Sequence, residues 1–240
     1  MPRRRPVAAL ALNDRSARVE ARGMRILLID HGCCDHPHTR VHRLREGLEA
    51  AGCTVAVCGP STVYGFDEQP PGMHGIHLHD VAAASREFLA AVRDGRSEVF
   101  LDAVARVPSR LLGLARETAR QRIAEAADDV FPEAIFVFHA GILTDLAVET
   151  GAPVVVHVTP ADLAVAAARP SLQRLVSAAI GSSDRVIGAD GPTAATLIDW
   201  LGNDDDARAR CDTWPIDDSA ATRIADACQR ALARRRGDPA

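Results

Sequence analysis

The sequence contains no lysine: its 28 basic residues are all arginines. That absence removes P-loop nucleotide hydrolases, Schiff-base enzymes and receiver domains, each of which depends on a lysine ammonium. Aromatic residues make up only 4% of the chain and the formal net charge is -4. Neither the basic face nor the stacking platforms of a nucleic-acid binder are there, so no nucleic-acid partner is expected. No stretch approaches the ~20 apolar residues of a membrane span, so no transmembrane segment is expected. A Gly-x-Gly-x-x-Gly turn is missing after the first apolar run, which weakens a nicotinamide or flavin reading; no cofactor is expected. The six cysteines (Cys33, Cys34, Cys53, Cys58, Cys211, Cys228) form no Cys-x-x-Cys pair and no regular framework. In a chain long enough to fold without staples, reduced thiols and a cytoplasmic location are the simplest reading.

What is there fits one globular domain: 240 residues, 47% hydrophobic and 25% charged. The basic start, Met1 to Arg5, followed by Pro6 to Leu12, superficially suggests a signal peptide. That run is too short, and Asn13, Asp14 and Arg15 follow where a cleavage region belongs. Residues 1–23 are therefore expected to form a disordered extension whose removal leaves the fold intact, with the folded part opening at Met24.

From there, apolar strand-like runs alternate with helical patterns, the signature of βαβ units and a mainly parallel sheet. Strands are expected at 25–30, 54–58, 76–79, 134–138, 153–158, 185–189 and 211–216. A first crossover helix is expected with Val41, Leu44, Leu48 and Ala51 on one face, Pro37 in its first turn and Gly52 as its stop. The stretch 82–129 reads as helical, broken at Gly95 and Pro108, and further helices fall at 142–150, 161–180 and 192–201. Asp218 is expected to open a last amphipathic helix carrying Ile224, Cys228, Ala231 and Leu232. The fold class is thus α/β: a Rossmann-like doubly wound sheet of about seven strands, helices on both faces.

Such sheets bind ligands outside the carboxyl ends of their strands, which directs attention to the loops His31 to Thr39, His139 to Gly141 and Thr159 to Asp162. Together with their flanks, these segments resemble the N-terminal domain of family-4, GT-B-fold glycosyltransferases. MRILLIDHG with EAAGCTVAVCGP is similar to that family's opening strand, loop, helix and second strand. PEAIFVFHAGILTDLAVETGAPVVVHVTPADL resembles its middle strand, helix and following strand, and SSDRVIGADGPTAATLIDWLG its next unit. TWPIDD sits where the family links into its second domain. The resemblance covers residues 24–217. It implies an acceptor-side domain without the nucleotide-sugar half, with 218–240 as a helix crossing back onto the domain. The family's histidine after the fifth strand falls by spacing on Thr159, and its double-glycine loop is reduced to Gly32.

The candidate ligand-binding residues are His31, Gly32, Asp35, His139, Thr159 and Asp162. His139 directly follows a strand end, where function outweighs packing. Asp162 either accepts from a sugar hydroxyl or caps the following helix. The loop His31, Cys33, Cys34, Asp35, His36, His38, with His42 one turn on, offers zinc-type ligands without the clean spacing of a structural zinc site; the alternative is that Asp35 caps the helix. No metal is assigned. His74, His77 and His79 alternate along a strand, with His77 and His79 on one face, as a second cluster or as structural residues. Asp204 to Asp206 and Arg234 to Arg236 read as solvated surface. Two functions follow: a glycosyltransferase-like domain that binds a sugar or glycan acceptor and needs a separate donor-binding subunit, or a non-catalytic interaction module of the same fold. A homo-oligomer is compatible with either.

Overall fold

The computed structural model describes residues 23–32, 34–35, 40–62, 69–78, 81, 84–217 and 220–238. The expectations placed on residues 1–22, Cys33, His36, Pro37, His38, Thr39, His79 and Asp218 lie outside these residues.

Strand β1 (Arg25–Asp30) leads through α1 (Arg40–Ala50) to β2 (Thr54–Ser61) and β3 (Met73–His77). Helices α2 (Arg86–Asp94), α3 (Ser97–Arg106) and α4 (Ser109–Val130) then lead to β4 (Ala134–Phe138). Next come α5 (Thr144–Glu149), β5 (Val154–Val158), α6 (Pro160–Ala167), α7 (Pro170–Ser182) and β6 (Arg185–Gly188). The chain continues through α8 (Gly191–Trp200), α9 (Asp205–Arg210) and β7 (Cys211–Thr213) to α10 (Ala220–Arg236). All strands pair in parallel in one seven-stranded sheet of order β3-β2-β1-β4-β5-β6-β7. This is a Rossmann-like α/β fold with helices on both faces.

The continuous apolar runs arise because each central strand is covered twice. On β1, Leu27 and Ile29 join the core beneath α2 to α8, while Ile26 and Leu28 join the core beneath α1 and α10. Right-handed crossovers explain the asymmetry: stepping from β1 to β2 places α1 on one face, and every step from β3 back to β4 and on to β7 places its helices on the other. The α1 face of β4 and β5 would then lie bare. Helix α10 covers it, burying Ile224, Ala227, Cys228 and Ala231 completely beside Phe136, Phe138 and Val155. Leu232, expected on the same face, is only half-buried. Three ion pairs fasten α10 to the far half of the sheet: Arg230–Asp212 at 3.1 Å, Arg234–Asp206 at 2.6 Å, and Arg235–Asp184.

Several boundaries differ from the sequence reading. Strand β2 runs on to Ser61, through Gly59 and Pro60, because a close approach needs the glycine: a Cβ there would meet the Asp30 carbonyl at 2.8 Å. The third strand begins at Met73 and ends at His77, the last strand stops at Thr213, and Ala51 lies exposed beyond α1. The helical region 161–180 divides at Pro170. The acidic run is not only solvated surface: Asp204 caps α9 by accepting from the Ala207 amide at 2.7 Å.

Strand β3 is one edge of the sheet, and its outward backbone is occupied at Gly75. The Gly75 amide donates to Gln69 Oε1 at 2.9 Å, and Arg122 Nε donates to the Gly75 carbonyl at 3.2 Å. Among the described residues no helix is long and apolar enough to cross a membrane.

Candidate functional site

The chain leaves β1 toward β2 on one side and reaches β4 on the other, so the crevice between the carboxyl ends of β1 and β4 is the topological switch point of the sheet. A cavity of about 260 Å³ opens there, lined by Asp30 from β1, Arg40 and Arg43 from α1, the segment Gly95–Glu98, and Phe138 and His139 from the end of β4.

His139 is held in a left-handed backbone conformation, φ 73°, unusual for a residue with a side chain. The turn directs its ring inward, where it is 1% exposed. Nδ1 lies 2.8 Å from Asp162 Oδ1. Since the carboxylate can only accept, Nδ1 carries the proton and Nε2 keeps a lone pair. Nε2 is buried without a hydrogen-bond partner, with Glu98 Oε1 at 4.0 Å. Burial alone would lower the His139 pKa, but the Asp162 hydrogen bond and charge, assisted by Asp30 and Glu98, raise it overall.

Asp162 is fully buried and its carboxylate serves three groups, one of them as part of a helix cap. Its Oδ1 takes the His139 proton donor, and its Oδ2 accepts from the Ala140 amide at 3.3 Å and the Thr159 amide at 2.7 Å. The Thr159 hydroxyl in return accepts from the Asp162 amide at 3.4 Å, completing a capping box at the start of α6. Of the two sequence readings of Asp162, the cap is the one seen, and the same carboxylate orients His139 rather than facing the cavity.

The remaining sequence candidates occupy the surroundings. His31 is fully buried: Nδ1 donates to the Phe138 carbonyl at 3.1 Å and Nε2 accepts from the Leu143 amide at 3.2 Å. Both nitrogens are spent on bonds within the protein. Burial pushes its pKa down to about 4 despite the Phe138 carbonyl, so it stays neutral. Its task is to pin the 139–143 loop onto β1. Gly32 is a point of close approach: a Cβ would meet the Gly95 carbonyl at 2.8 Å and Ser97 Oγ at 2.9 Å. That proximity brings Glu98 over the cavity. Thr159 is used as a cap. Asp35 accepts from Cys34 Sγ and the Thr62 amide, tying the loops after β1 and β2 rather than facing the cavity. Two further buried groups escaped the sequence reading. Asp30 Oδ1 accepts from the Gly32 amide at 3.0 Å and from Ser97 Oγ at 2.8 Å. The Phe138 ring carries the Arg40 guanidinium 5.1 Å from its centroid and meets His139 edge-on at 4.5 Å. An acid ending a buried strand was the available signal for Asp30; nothing local marks Ser97 or Glu98.

Among the described residues no three His, Cys, Asp or Glu side chains are placed to hold a metal ion. His42 Nε2 instead lies 2.9 Å from the Cys34 carbonyl. His74 and His77, three residues apart on β3, do not share a face.

No family profile and no curated protein matches the sequence. Solved structures do match. A sucrose-phosphate synthase from Thermosynechococcus elongatus superimposes with a TM-score of 0.53 at 14% identity, covering 88% of this chain and 98% of that one. An apo structure of OtsA aligns at 17% identity and TM-score 0.46, over 75% of this chain and 43% of the other. The Streptomyces sp. SF2575 glycosyltransferase SsfS6 aligns at 16% identity and TM-score 0.39, over 69% and 50%. Apart from the first, the chain thus spans half or less of these structures. At such identities the likeness concerns the fold, which is that of a GT-B glycosyltransferase-like Rossmann domain.

Proposed function

We propose that this chain is the acceptor-side domain of a GT-B glycosyltransferase of family-4 type, with His139 as the general base toward an acceptor hydroxyl. One observation carries the reading: a buried imidazole, oriented through Nδ1 by Asp162, keeps an unpartnered Nε2, and His139 lines a cavity at the switch point. In the reaction the acceptor O–H proton passes to Nε2, while the acceptor oxygen bonds to the anomeric carbon of a nucleotide sugar. The nucleoside diphosphate departs with the bonding electron pair. Asp162 steadies the imidazolium that forms, and the raised pKa makes Nε2 a stronger base once it is free of its proton. Asp30 and Glu98 are placed to accept from further acceptor hydroxyls.

The donor-holding half belongs to another polypeptide or to a further segment, and both halves must close around the diphosphate. Free thiols at Cys34, Cys53, Cys58, Cys211 and Cys228 suit a reducing compartment such as the cytoplasm. The test is sugar transfer by the chain reconstituted with a donor-binding GT-B half. His139→Asn is expected to lower transfer roughly 100-fold or more, with nucleotide-sugar affinity unchanged. Undiminished transfer by the folded variant would refute the role and favour the non-catalytic interaction module.

A further inference from the structure

The imidazole at the switch point is shut in. His139 is 1% exposed, and its Nε2 is buried with no hydrogen-bond partner among the described residues, so nothing reaches that atom while its surroundings stay in place. Glu98 Oε1 stands 4.0 Å from Nε2, and the Glu98 side chain is itself half-exposed. On that side the cover over the imidazole is one side chain thick.

Glu98 belongs to the first turn of α3. Arg96, at the N-cap, gives that turn no side-chain hydrogen bond and pairs with Asp94 at 2.7 Å instead, so the usual cap is missing. The turn is tied to β1 by Ser97, whose hydroxyl donates to Asp30 Oδ1 at 2.8 Å; the same oxygen accepts from the Gly32 amide at 3.0 Å. Just before it, Gly95 ends α2 with a left-handed φ of 84°. Further along, Phe100, Leu101 and Val104 are buried in the core and hold the rest of α3 in place. Beyond the helix's own backbone bonds, a hydrogen bond to one carboxylate thus keeps this turn against the sheet, while the helix behind it is fixed.

We infer that Ser97 and Asp30 form a latch that keeps the first turn of α3, and with it Glu98, closed over His139, and that the site opens by release of this turn. Ser97 is a positioning residue: it governs access through Asp30 and touches no reacting atom. His139 stays behind, because Asp162 holds its Nδ1 at 2.8 Å. A ligand hydroxyl that donates to Asp30 replaces the Ser97 bond with one of the same kind, so entry of a polyhydroxy ligand and release of the turn are coupled at little net cost. The latch rests on the acceptor-side reading only for what it admits.

The experiment measures how fast diethyl pyrocarbonate, which acylates an accessible neutral imidazole nitrogen, modifies His139 in the full chain, followed by peptide mass spectrometry. Rates are taken from the plateau at alkaline pH, so that a change in His139 protonation is not read as access. Wild-type His139 is expected to react roughly tenfold or more slowly than N-acetylhistidine. Ser97→Ala should raise the His139 rate roughly tenfold or more, since opening no longer breaks a hydrogen bond to a carboxylate. Glu98→Ala, a change at a half-exposed side chain, should raise it too and serves where Ser97→Ala does not fold. Ser85→Ala, which removes the cap of α2 at the Phe88 amide and leaves the latch intact, should not change it. His157, 2% exposed within β5, should stay protected throughout, which separates release of one turn from general loosening. The inference is overturned if wild-type His139 reacts like N-acetylhistidine, if folded Ser97→Ala or Glu98→Ala reacts at the wild-type rate, if Ser85→Ala raises the rate as much, or if His157 becomes reactive together with His139. Because the readout is access to an intact His139, a failed base in the transfer assay and a failed latch give different results.

Discussion

Folding lowers the proton affinity of His31 and His157 and raises that of His139. His157 stacks parallel to Phe138 at 5.3 Å with Trp214 beyond, and both its nitrogens are buried without a hydrogen bond of normal length, the Trp214 backbone being only a weak influence. Burial, followed by the nearby charge of His139, pushes its pKa to about 4, as burial does for His31. An unfolded histidine takes up its proton near 6.5, so between about pH 6.5 and 4 the unfolded chain binds more protons and stability is lost as the pH is lowered. His139, with its raised pKa, contributes stability that is full below about 6.5 and fades as pH rises through its folded value. Denaturant melts across this range should therefore show a steep loss on the acid side. His157→Phe keeps the ring stack and removes the titrating nitrogens; it is expected to flatten that slope and to add about 1–2 kcal/mol near neutrality by removing orphaned polar atoms. An acid slope identical to wild type would rule out His157 as a source. The residue scale is also where the sequence was least legible. His139 stood out because it follows a strand end, but Asp30, Ser97 and Glu98 meet it only through sheet order, and Asp162 looked like an ordinary cap because its second bond spans 23 residues. Nothing local reveals that Phe138 and Leu143 consume both nitrogens of His31.

At the scale of elements, the central strands were readable because being covered on both faces turns them into unbroken apolar runs such as Val154–Val158. Errors gathered where tertiary contact overrides local preference. Gly59 and Pro60 look like a stop yet continue β2, since the neighbouring strand end needs the space. Helix α10 was legible as amphipathic, and the handedness of the crossovers supplies the reason it is needed on its particular face. Its contribution can be measured. Ile224, fully buried beside α1 and β4, should cost about 2–5 kcal/mol when replaced by alanine. Arg234→Ala, which breaks a half-exposed ion pair with Asp206, should cost well under about 1 kcal/mol. Equal effects in urea melts would mean that α10 is held by its charges and not by its apolar face.

At the scale of the whole molecule, the described sheet gathers Asp30, Phe138 and His139 at the carboxyl ends of β1 and β4, and the proposed donor half lies elsewhere. The isolated chain is accordingly expected to bind nucleotide sugars weakly and to turn none over; calorimetry with UDP-glucose and GDP-mannose checks this, and micromolar binding or steady transfer would contradict it. The occupied backbone of β3 bears on how copies of this chain behave when crowded. A bare parallel edge is a template on which a second copy can lay down its own strand, and growth of that kind ends in fibres. Here the amide and carbonyl of Gly75 are both taken by the side chains of Gln69 and Arg122. Replacing those two side chains is expected to bare that edge and to make self-association rise with concentration.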